Sequence, residues 1–192
     1  MKTLEQVKVQ TFDFRDGNGS VPAHRHTNPD GTVGGWVAET AKVENTAWIS
    51  GDTQVYGNAL VYGDARISGN ALVHGNAWVY GNAWVSGDTQ VYGDARVYGN
   101  AQVYGNALVY GDAQVYGGEW TKSPLYIQGT ARAVYMSSPT DLGIGYLQKS
   151  LVEWLADING EHNTGKKAGY TQEQMDEYDR YVRLAAAMYA HD

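Results

Sequence analysis

Three side chains spaced eighteen residues apart, Trp48, Arg66 and Trp84, have the chemistry of a ligand-binding strip. An indole ring stacks on a flat base or sugar, and a guanidinium group binds anions and stacks on aromatic rings. If the three residues lie on neighbouring rungs of one surface, Arg66 would be sandwiched between the two indoles, and the small side chains of Ser68 and Ser86 would leave a groove beside them. We call these three residues the Trp–Arg–Trp strip. The alternative is a self-stacking ladder that only stiffens the surface.

A second candidate site is the run of His24, Arg25 and His26, which precedes the turn-rich segment NPDGTVGG. Two histidines two residues apart project to the same side of a strand and can begin a metal site, but a third ligand is needed and the sequence offers none. Successive backbone N–H groups in such a turn can instead cradle a phosphate-like group. The run therefore predicts a pocket for a small anion, and we assign no metal.

These candidates must be positioned by a six-residue repeat that extends from Trp36 to Arg132. The aliphatic residue of each repeat occurs at Val37, Val43, Ile49, Val55, Val61, Ile67, Val73, Val79, Val85, Val91, Val97, Val103, Val109 and Val115, and Ile127 falls on the same spacing. If the aliphatic residue points inward, its two neighbours point outward. Gly, then Asn or Asp, then a small inward Ala or Thr complete the repeat, so each hexad predicts a short strand and a corner.

The hexads fall into groups of three. Serine follows the aliphatic residue at every eighteenth position: Ser50, Ser68 and Ser86. This is what three distinct stacked faces would produce, and the same spacing extends the strip through Gln102 to Trp120. Residues 37–132 hold 16 hexads (96 ÷ 6), or a little over five coils. With about 4.8 Å between stacked strands, the coils would rise roughly 25 Å.

The pattern resembles the hexapeptide repeat of left-handed parallel β-helices, in which three hexads make one triangular coil. GGWV leading into V-x-G-N-A hexads, with the tail GYTQEQMDEYDRYVRLAAA, resembles more narrowly a group of β-helix proteins found in enteric bacteria and in phage or prophage genomes, some of which are labelled transferases. The resemblance implies an all-β repeat fold: a left-handed parallel β-helix with three hexads per coil and about five coils. It implies no particular activity.

His74 is the one histidine inside the repeat. Hexapeptide-repeat acyltransferases, which the chain resembles, use a histidine near a subunit interface as general base, with acyl-CoA lying along the helix. Those enzymes usually carry a loop that interrupts the coils, whereas the hexads around His74 run without insertion. The carbonic-anhydrase type of β-helix needs three histidines at an interface, and the repeat supplies one. His74 is most simply another rung, and catalysis by it is kept as an alternative.

A row of tyrosines predicts an interface between subunits. The residues that would share one face, joined by Trp78 on a neighbouring position, are Tyr62, Tyr80, Tyr98 and Tyr116. We call these four the tyrosine column. A large exposed aromatic strip usually marks an interface, and proteins that this chain resembles are very often trimers packed side by side. The alternative is a monomer whose tyrosine hydroxyls keep the strip hydrated.

Composition excludes several classes of function. A formal net charge of −7 and a pI near 5.1 argue against nonspecific nucleic-acid binding, which needs a basic surface. Cysteine is absent, so there is no disulfide, thiolate metal site or cysteine nucleophile. No apolar run is long enough to cross a membrane, and the alternating start is not a signal peptide. We therefore expect no cofactor and a cytoplasmic location, which would be the host cytoplasm if a phage encodes the chain.

The ends of the chain predict caps. The expected units are a small N-terminal β cap over residues 1–36, the β-helix over 37–132 and a helical C-terminal cap over 133–192. Capping boxes at Ser150–Glu153 and Thr171–Gln174 begin two helices, and Asn159–Gly160 predicts the end of the first. We expect these two helices to pack on each other and on the last coil.

Taken together, the residues predict a non-enzymatic trimeric scaffold. It would bind a small molecule or a protein partner, such as a host protein, at its interface or on the Trp–Arg–Trp strip. The small molecule would be an anion and, in a phage setting, a nucleotide-type signal. The alternatives are an acyltransferase that uses acyl-CoA and His74, and a purely structural component with no ligand.

Overall fold

The six-residue repeat forms a parallel β-solenoid of about five turns. A computed structural model describes residues 10–158 and 164–189.

The strands of the solenoid form three sheets, which we call the first, second and third face. The first face contains β3 (Val33–Ala38), β6 (Gln54–Val55), β9 (Leu72–Val73), β12 (Gln90–Val91) and β15 (Leu108–Val109). The second contains β4 (Lys42–Val43), β7 (Leu60–Tyr62), β10 (Trp78–Tyr80), β13 (Arg96–Val97) and β16 (Gln114–Val115). The third contains β5 (Trp48–Ile49), β8 (Arg66–Ile67), β11 (Trp84–Val85), β14 (Gln102–Val103) and β17 (Glu119–Trp120).

Equivalent residues of successive coils lie eighteen residues apart. On the first face Val55 pairs with Val73, which pairs with Val91. The inward aliphatic and alanine side chains of the coils fill a core in which most are fully buried. Because side chains alternate along each short strand, the variable residues on either side of each Val or Ile are left on the outer surface. The predicted repeat β-helix of about five coils is confirmed.

Glycine is required at the corners because successive coils approach closely there. Gly69 has φ +72°, and a Cβ atom on it would lie 2.9 Å from the backbone nitrogen of Gly87 in the next coil. A side chain would therefore both strain this corner and push the two coils apart.

The last coil departs from the eighteen-residue register. Val103 pairs with Trp120, seventeen residues on, because Gly117 and Gly118 replace the usual three-residue corner. Trp120 consequently points inward and is only 4% exposed. The prediction that Trp120 extends the Trp–Arg–Trp strip is wrong.

The N-terminal end is covered by an antiparallel hairpin. Strands β1 (Thr11–Asp13) and β2 (Ser20–Thr27) pair with each other, and β2 pairs with β3 of the first face. Phe14, Ala23 and Ala38 form a small buried cluster of this cap. The part of the predicted β cap that falls on residues 1–9 lies outside the described residues.

The C-terminal end is covered by a sheet and helices. Four antiparallel strands follow the solenoid: β18 (Tyr126–Gln128), β19 (Ala133–Met136), β20 (Asp141–Ile144) and β21 (Leu147–Ser150). Helices α1 (Leu151–Ile158), α2 (Thr164–Lys167) and α3 (Gln172–Tyr189) come next, and α1 packs on α3.

Ile127 belongs to this antiparallel sheet, where it pairs with Val134, so its position on the hexad spacing does not make it a rung of the solenoid. The segment predicted as a helical cap begins with β19 to β21, which the sequence analysis did not anticipate.

Both capping boxes are present. The backbone nitrogen of Glu153 donates to Ser150 Oγ at 3.2 Å, and Gln174 makes the equivalent bond to Thr171 Oγ1. The predicted helix end at Asn159–Gly160 lies outside the described residues. Among the helices of the described chain, none is long and apolar enough to cross a membrane.

Candidate functional site

The third face carries the Trp–Arg–Trp strip on three successive strands. Backbone register places Trp48 opposite Arg66 and Arg66 opposite Trp84, on β5, β8 and β11. Each of these residues precedes a fully buried aliphatic residue, so the alternation of the strand turns its side chain outward. Trp84 is 48% exposed, which is unusual for a tryptophan on a regular surface.

A shallow groove lies on each side of the strip. The groove of about 370 Å³ that we call the serine groove is lined by Trp48, Ser50, Arg66, Ile67, Ser68 and Trp84. The groove of about 400 Å³ that we call the amide groove is lined by Trp48, Asp64, Arg66, Asn82, Trp84, Asn100 and Gln102. Ser86, which the sequence analysis placed beside Trp84, lines neither. The amide groove was missed, although Asp64 and Asn82 could have been found by counting two residues back from Arg66 and Trp84 to the corner.

Arg66 does not form the predicted cation–π sandwich. The cation–π contacts found in the described part of the chain join Arg25 to Trp36, Arg96 to Trp78 and Lys149 to Trp154. Within residues 10–158 and 164–189, the side chain of Arg66 also has no hydrogen bond or ion pair to another residue. Its guanidinium group is therefore available to a ligand.

The backbone N–H groups along this face are already used. Those of Trp48, Arg66 and Trp84 donate to carbonyl oxygens of the next coil at 2.8–2.9 Å. Those of Ser68 and Ser86 do the same at 2.9 Å. Recognition on this face must therefore come from side chains.

The tyrosine column stacks on the second face as predicted from its spacing. Tyr62 and Tyr80 have ring centroids 4.8 Å apart and Tyr80 and Tyr98 5.0 Å apart, with nearly parallel planes. Tyr116 is tilted away at 6.1 Å from Tyr98, and its hydroxyl donates a hydrogen bond to Asp141 of the C-terminal sheet. That bond raises the pKa of Tyr116, with a further contribution from burial.

Trp78 and Arg96 extend the aromatic surface of the second face beside the tyrosine column. The guanidinium carbon of Arg96 lies 4.8 Å from the centre of the Trp78 ring. Trp78 also meets Tyr62 edge-on, with ring centroids 6.3 Å apart. The tyrosines, the indole and the guanidinium thus form one continuous patch on this face.

His74 belongs to a second aromatic column, on the first face. Its ring stacks between those of Tyr56 and Tyr92, with centroid distances of 4.8 and 5.2 Å. Phe14 covers the lower end of this column and Tyr110 continues it upward. Burial lowers the pKa of His74, which favours the neutral form of its imidazole. Its environment is that of a rung in a stacked column.

The His24, Arg25 and His26 run is spread over three separate contacts. His24 Nδ1 lies 2.7 Å from Glu39 Oε1, on the exposed side of the cap. Arg25 donates from Nε to the carbonyl oxygen of Gly34 and covers the Trp36 ring. His26 is buried and its Nε2 donates to the carbonyl oxygen of Ala47 at 3.0 Å.

Each of these three side chains thus has its own protein partner. An anion pocket here remains a prediction that the contacts do not favour. Among the described residues, no group of three or more His, Cys, Asp or Glu side chains could hold a metal ion.

A separate cavity of about 290 Å³ lies between the C-terminal helices and sheet, and the sequence analysis did not foresee it. Trp154, Tyr170, Tyr178 and Met175 contribute to its largely apolar wall. Asp157, which also lines it, is buried and forms an ion pair with Lys149 at 2.6 Å. The hydrogen bonds from Lys149 and Thr164 outweigh the cost of burial and lower the pKa of this carboxyl group.

Comparison with known proteins supports the solenoid. Four segments of the chain, residues 54–65, 65–81, 89–102 and 101–117, match the family model described as the YdcK beta solenoid repeat. A search of curated proteins gave no match, and neither did a search of solved structures. The matched segments lie within the coils between residues 54 and 117, and they leave both caps, strand β5 with Trp48 and strand β11 with Trp84 outside the match. The chain is therefore a repeat β-solenoid protein whose coils are similar to the YdcK solenoid repeat.

Proposed function

We propose that this protein is a non-enzymatic scaffold that binds a small molecule on its third face and assembles into a homotrimer through its second. The observation that carries the proposal is the difference between the faces. The outward rings of the first and second faces stack on one another in continuous columns. On the third face serines occupy the equivalent position in three coils, and the indoles are left beside open grooves.

The open grooves support ligand binding in preference to a merely stiffening ladder. A self-stacking ladder would stack the side chains of neighbouring rungs on one another, as in the tyrosine column, whereas within the described structure Arg66 makes no cation–π contact with the tryptophans beside it. An exposed indole next to an uncommitted guanidinium is also a common feature of binding sites. Aromatic surface and a few convergent polar groups are what small-molecule sites generally present.

The second face supports assembly with further copies of the chain. Half-buried tyrosine rings, Trp78 and Leu60 make a continuous aromatic and apolar patch, and Arg96 adds a stacked cation. Tyrosine, tryptophan and arginine are enriched in the cores of protein interfaces. A trimer is the arrangement that the resemblance to hexapeptide-repeat proteins implies.

The resemblance to phage proteins suggests one concrete ligand, a nucleotide-type signal sequestered in the host cytoplasm. The reading as an acyltransferase has less support, because both faces of the His74 ring are covered by tyrosines and the solenoid coils around it carry no loop. A purely structural role is the outcome that the following experiment would favour if no ligand is found.

Native mass spectrometry of the protein, purified without denaturation, tests both parts of the proposal. We expect a trimer that carries additional mass in the range of a small molecule. In the double variant Arg66→Ala/Trp84→Ala, the additional mass should disappear while the trimer remains. The matched control is Trp78→Ala on the second face, which should weaken the trimer.

A ligand-free protein, even after incubation with cell extract, would overturn the binding part of the proposal. A monomer that still carries the ligand would overturn only the trimer.

A further inference from the structure

We propose that the Trp–Arg–Trp strip and its two grooves bind an uncharged oligosaccharide. This inference rests on the proposed function, because it assumes that the third face is the ligand site. It goes further by naming the chemical class of the ligand, and it replaces the nucleotide-type signal that the resemblance to phage proteins suggests. Three independent properties of the site lead to it: its charge, its flat apolar surfaces and its hydrogen-bonding groups.

The charge of the site is balanced. Among the described residues that line the two grooves, Arg66 is the one cation and Asp64 the one carboxylate. The protein as a whole carries a formal net charge of −7, so its field repels a ligand with several negative charges. A phosphate group would also need backbone N–H donors or further cations, and the N–H groups of this face donate to the next coil. An uncharged ligand avoids both costs.

The apolar surfaces of the site are two indoles on one line. Trp48 and Trp84 are separated by two strand spacings, which is about 10 Å along the solenoid axis. The axial C–H groups of a pyranose ring give it an apolar face that packs flat against an aromatic ring. Two such platforms that far apart suit a chain of sugars and exceed what a single sugar can cover. Between them Arg66 offers a planar group with several donors.

The polar groups of the site can both donate and accept hydrogen bonds. Each groove is bordered by neutral side chains of this kind: Ser50 and Ser68 on one side, Asn82, Asn100 and Gln102 on the other. Sugar hydroxyls also donate and accept, so hydroxyl and amide side chains match them better than they match a phosphate, which only accepts.

These polar groups are also largely free. Asn82 donates to Asn100 at 3.3 Å, whereas the hydroxyls of Ser50 and Ser68 and the amide of Gln102 have no hydrogen bond to the rest of the described chain. Because grooves flank the strip on both sides, hydroxyls on both edges of a stacked sugar would meet polar partners.

Isothermal titration calorimetry of the full chain tests the ligand class. The probes are cellohexaose, maltohexaose and chitohexaose, with glucose as the test of length and ATP and cyclic GMP as charged ligands. We expect at least one hexasaccharide to bind and glucose to bind far more weakly. Trp84→Ala should weaken hexasaccharide binding by about tenfold or more, because one of two platforms is lost. Gln90→Ala, which truncates the residue at the same strand position on the first face, away from both the strip and the proposed trimer interface, should leave it unchanged.

The other outcomes overturn the inference in distinguishable ways. If ATP or cyclic GMP binds, if Arg66→Ala abolishes that binding and if no hexasaccharide binds, the third face is a ligand site for a different class of molecule. If no probe binds, and the protein also carries no ligand from its host, the ligand class and the proposed function both fail. If a hexasaccharide binds equally well to wild type and to Trp84→Ala, the sugar site lies elsewhere. Unchanged thermal unfolding of the two variants would show that they are folded.

Discussion

Asn28 Oδ1 accepts a hydrogen bond from the backbone nitrogen of Ile49 at 2.9 Å, so a side chain of the N-terminal cap takes the place of a missing strand below the third face. His26 Nε2 likewise donates a hydrogen bond to the neighbouring carbonyl oxygen of Ala47. Both side chains are buried. An edge strand with unpaired groups invites association with another chain, and these two bonds remove that possibility along β5. The run that the sequence suggested as an anion pocket thus contributes to closing the solenoid.

The role of His26 predicts a pH-dependent stability. Burial lowers the pKa of His26 below its usual 6.5, and His74 is shifted in the same direction for the same reason. The unfolded chain therefore takes up protons more readily than the folded one. The stability due to the two neutral imidazoles should be fully present above pH 6.5 and should be lost as the pH falls below it.

Chemical denaturation at a series of values between about pH 8 and about pH 5 measures this dependence. Replacing both residues, as His26→Gln and His74→Tyr, should flatten the curve in that window. His24→Gln, at an exposed neighbouring position, serves as the control. An equally steep loss of stability in the double variant would show that other groups are responsible.

Truncation of two neighbouring residues of β8 should have very different effects on the stability of the fold. Ile67 is fully buried in the core, so Ile67→Ala should lower the free energy of unfolding by about 2–5 kcal/mol through lost burial and an unfilled cavity. Arg66 is exposed, and Arg66→Ala should change the free energy of unfolding by less than about 0.5 kcal/mol. Urea denaturation of the two variants compares the two costs. A large loss from Arg66→Ala would mean that the strip stabilises the fold, which would favour a structural role.

The close approach of the coils predicts the cost of a methyl group at a corner. Gly17 and Gly69 both have positive φ, but a Cβ on Gly17 would meet nothing within 4 Å, whereas one on Gly69 would meet the next coil. Gly17→Ala should therefore cost only the left-handed strain of about 1–2 kcal/mol. Gly69→Ala should cost clearly more. Thermal unfolding of both variants measures the difference, and equal costs would show that the coils can separate freely at the corner.

The attachment of α3 depends on a tyrosine hydroxyl. Tyr178 Oη accepts hydrogen bonds from the backbone nitrogens of Ala131 and Arg132 at 3.0 and 2.6 Å. Tyr178→Phe would leave these two N–H groups without their acceptor, at a cost of about 1–3 kcal/mol. We expect faster hydrogen exchange in α3 and around residues 130–132, with the coils unaffected.

Tyr181→Phe is the matched control for this variant. It removes a bond to Glu177 Oε1, an atom that also accepts from the backbone of Thr130, so its effect should be smaller. Exchange that is unchanged in Tyr178→Phe would show that packing alone holds the helix.

Most of the solenoid could be predicted from the sequence because the repeat decides it locally. From Ile49 to Val115, every Val or Ile of a hexad is flanked by outward residues and followed two residues later by a corner glycine, so the interior needs no long-range information. The prediction failed where the local signal changed. Gly117-Gly118 shortens a corner by one residue, which turns Trp120 inward, and Ile127 keeps the spacing by coincidence while pairing with an antiparallel strand.

Less of the candidate site could be predicted, for a physical reason. Periodicity fixes which rungs are neighbours, so the register of Trp48, Arg66 and Trp84 followed from spacing. It does not fix the rotamer of a long exposed side chain, and the arginine sandwich was therefore wrong. The corner residues Asn82 and Asn100 were overlooked because their turn-forming role concealed that they also border a groove.

The division of each hexad into inward and outward positions gives the solenoid an outer surface with regularly spaced side chains. Equivalent outward positions are about 4.8 Å apart along the solenoid axis, and the backbone sets this spacing independently of the outward side chains. A substitution on the outside changes one side chain without moving the others. An added or lost coil lengthens or shortens the surface by one strand spacing. A long, regular ligand could therefore be matched by changing which outward positions carry a ring, an amide or a charge, without any redesign of the core.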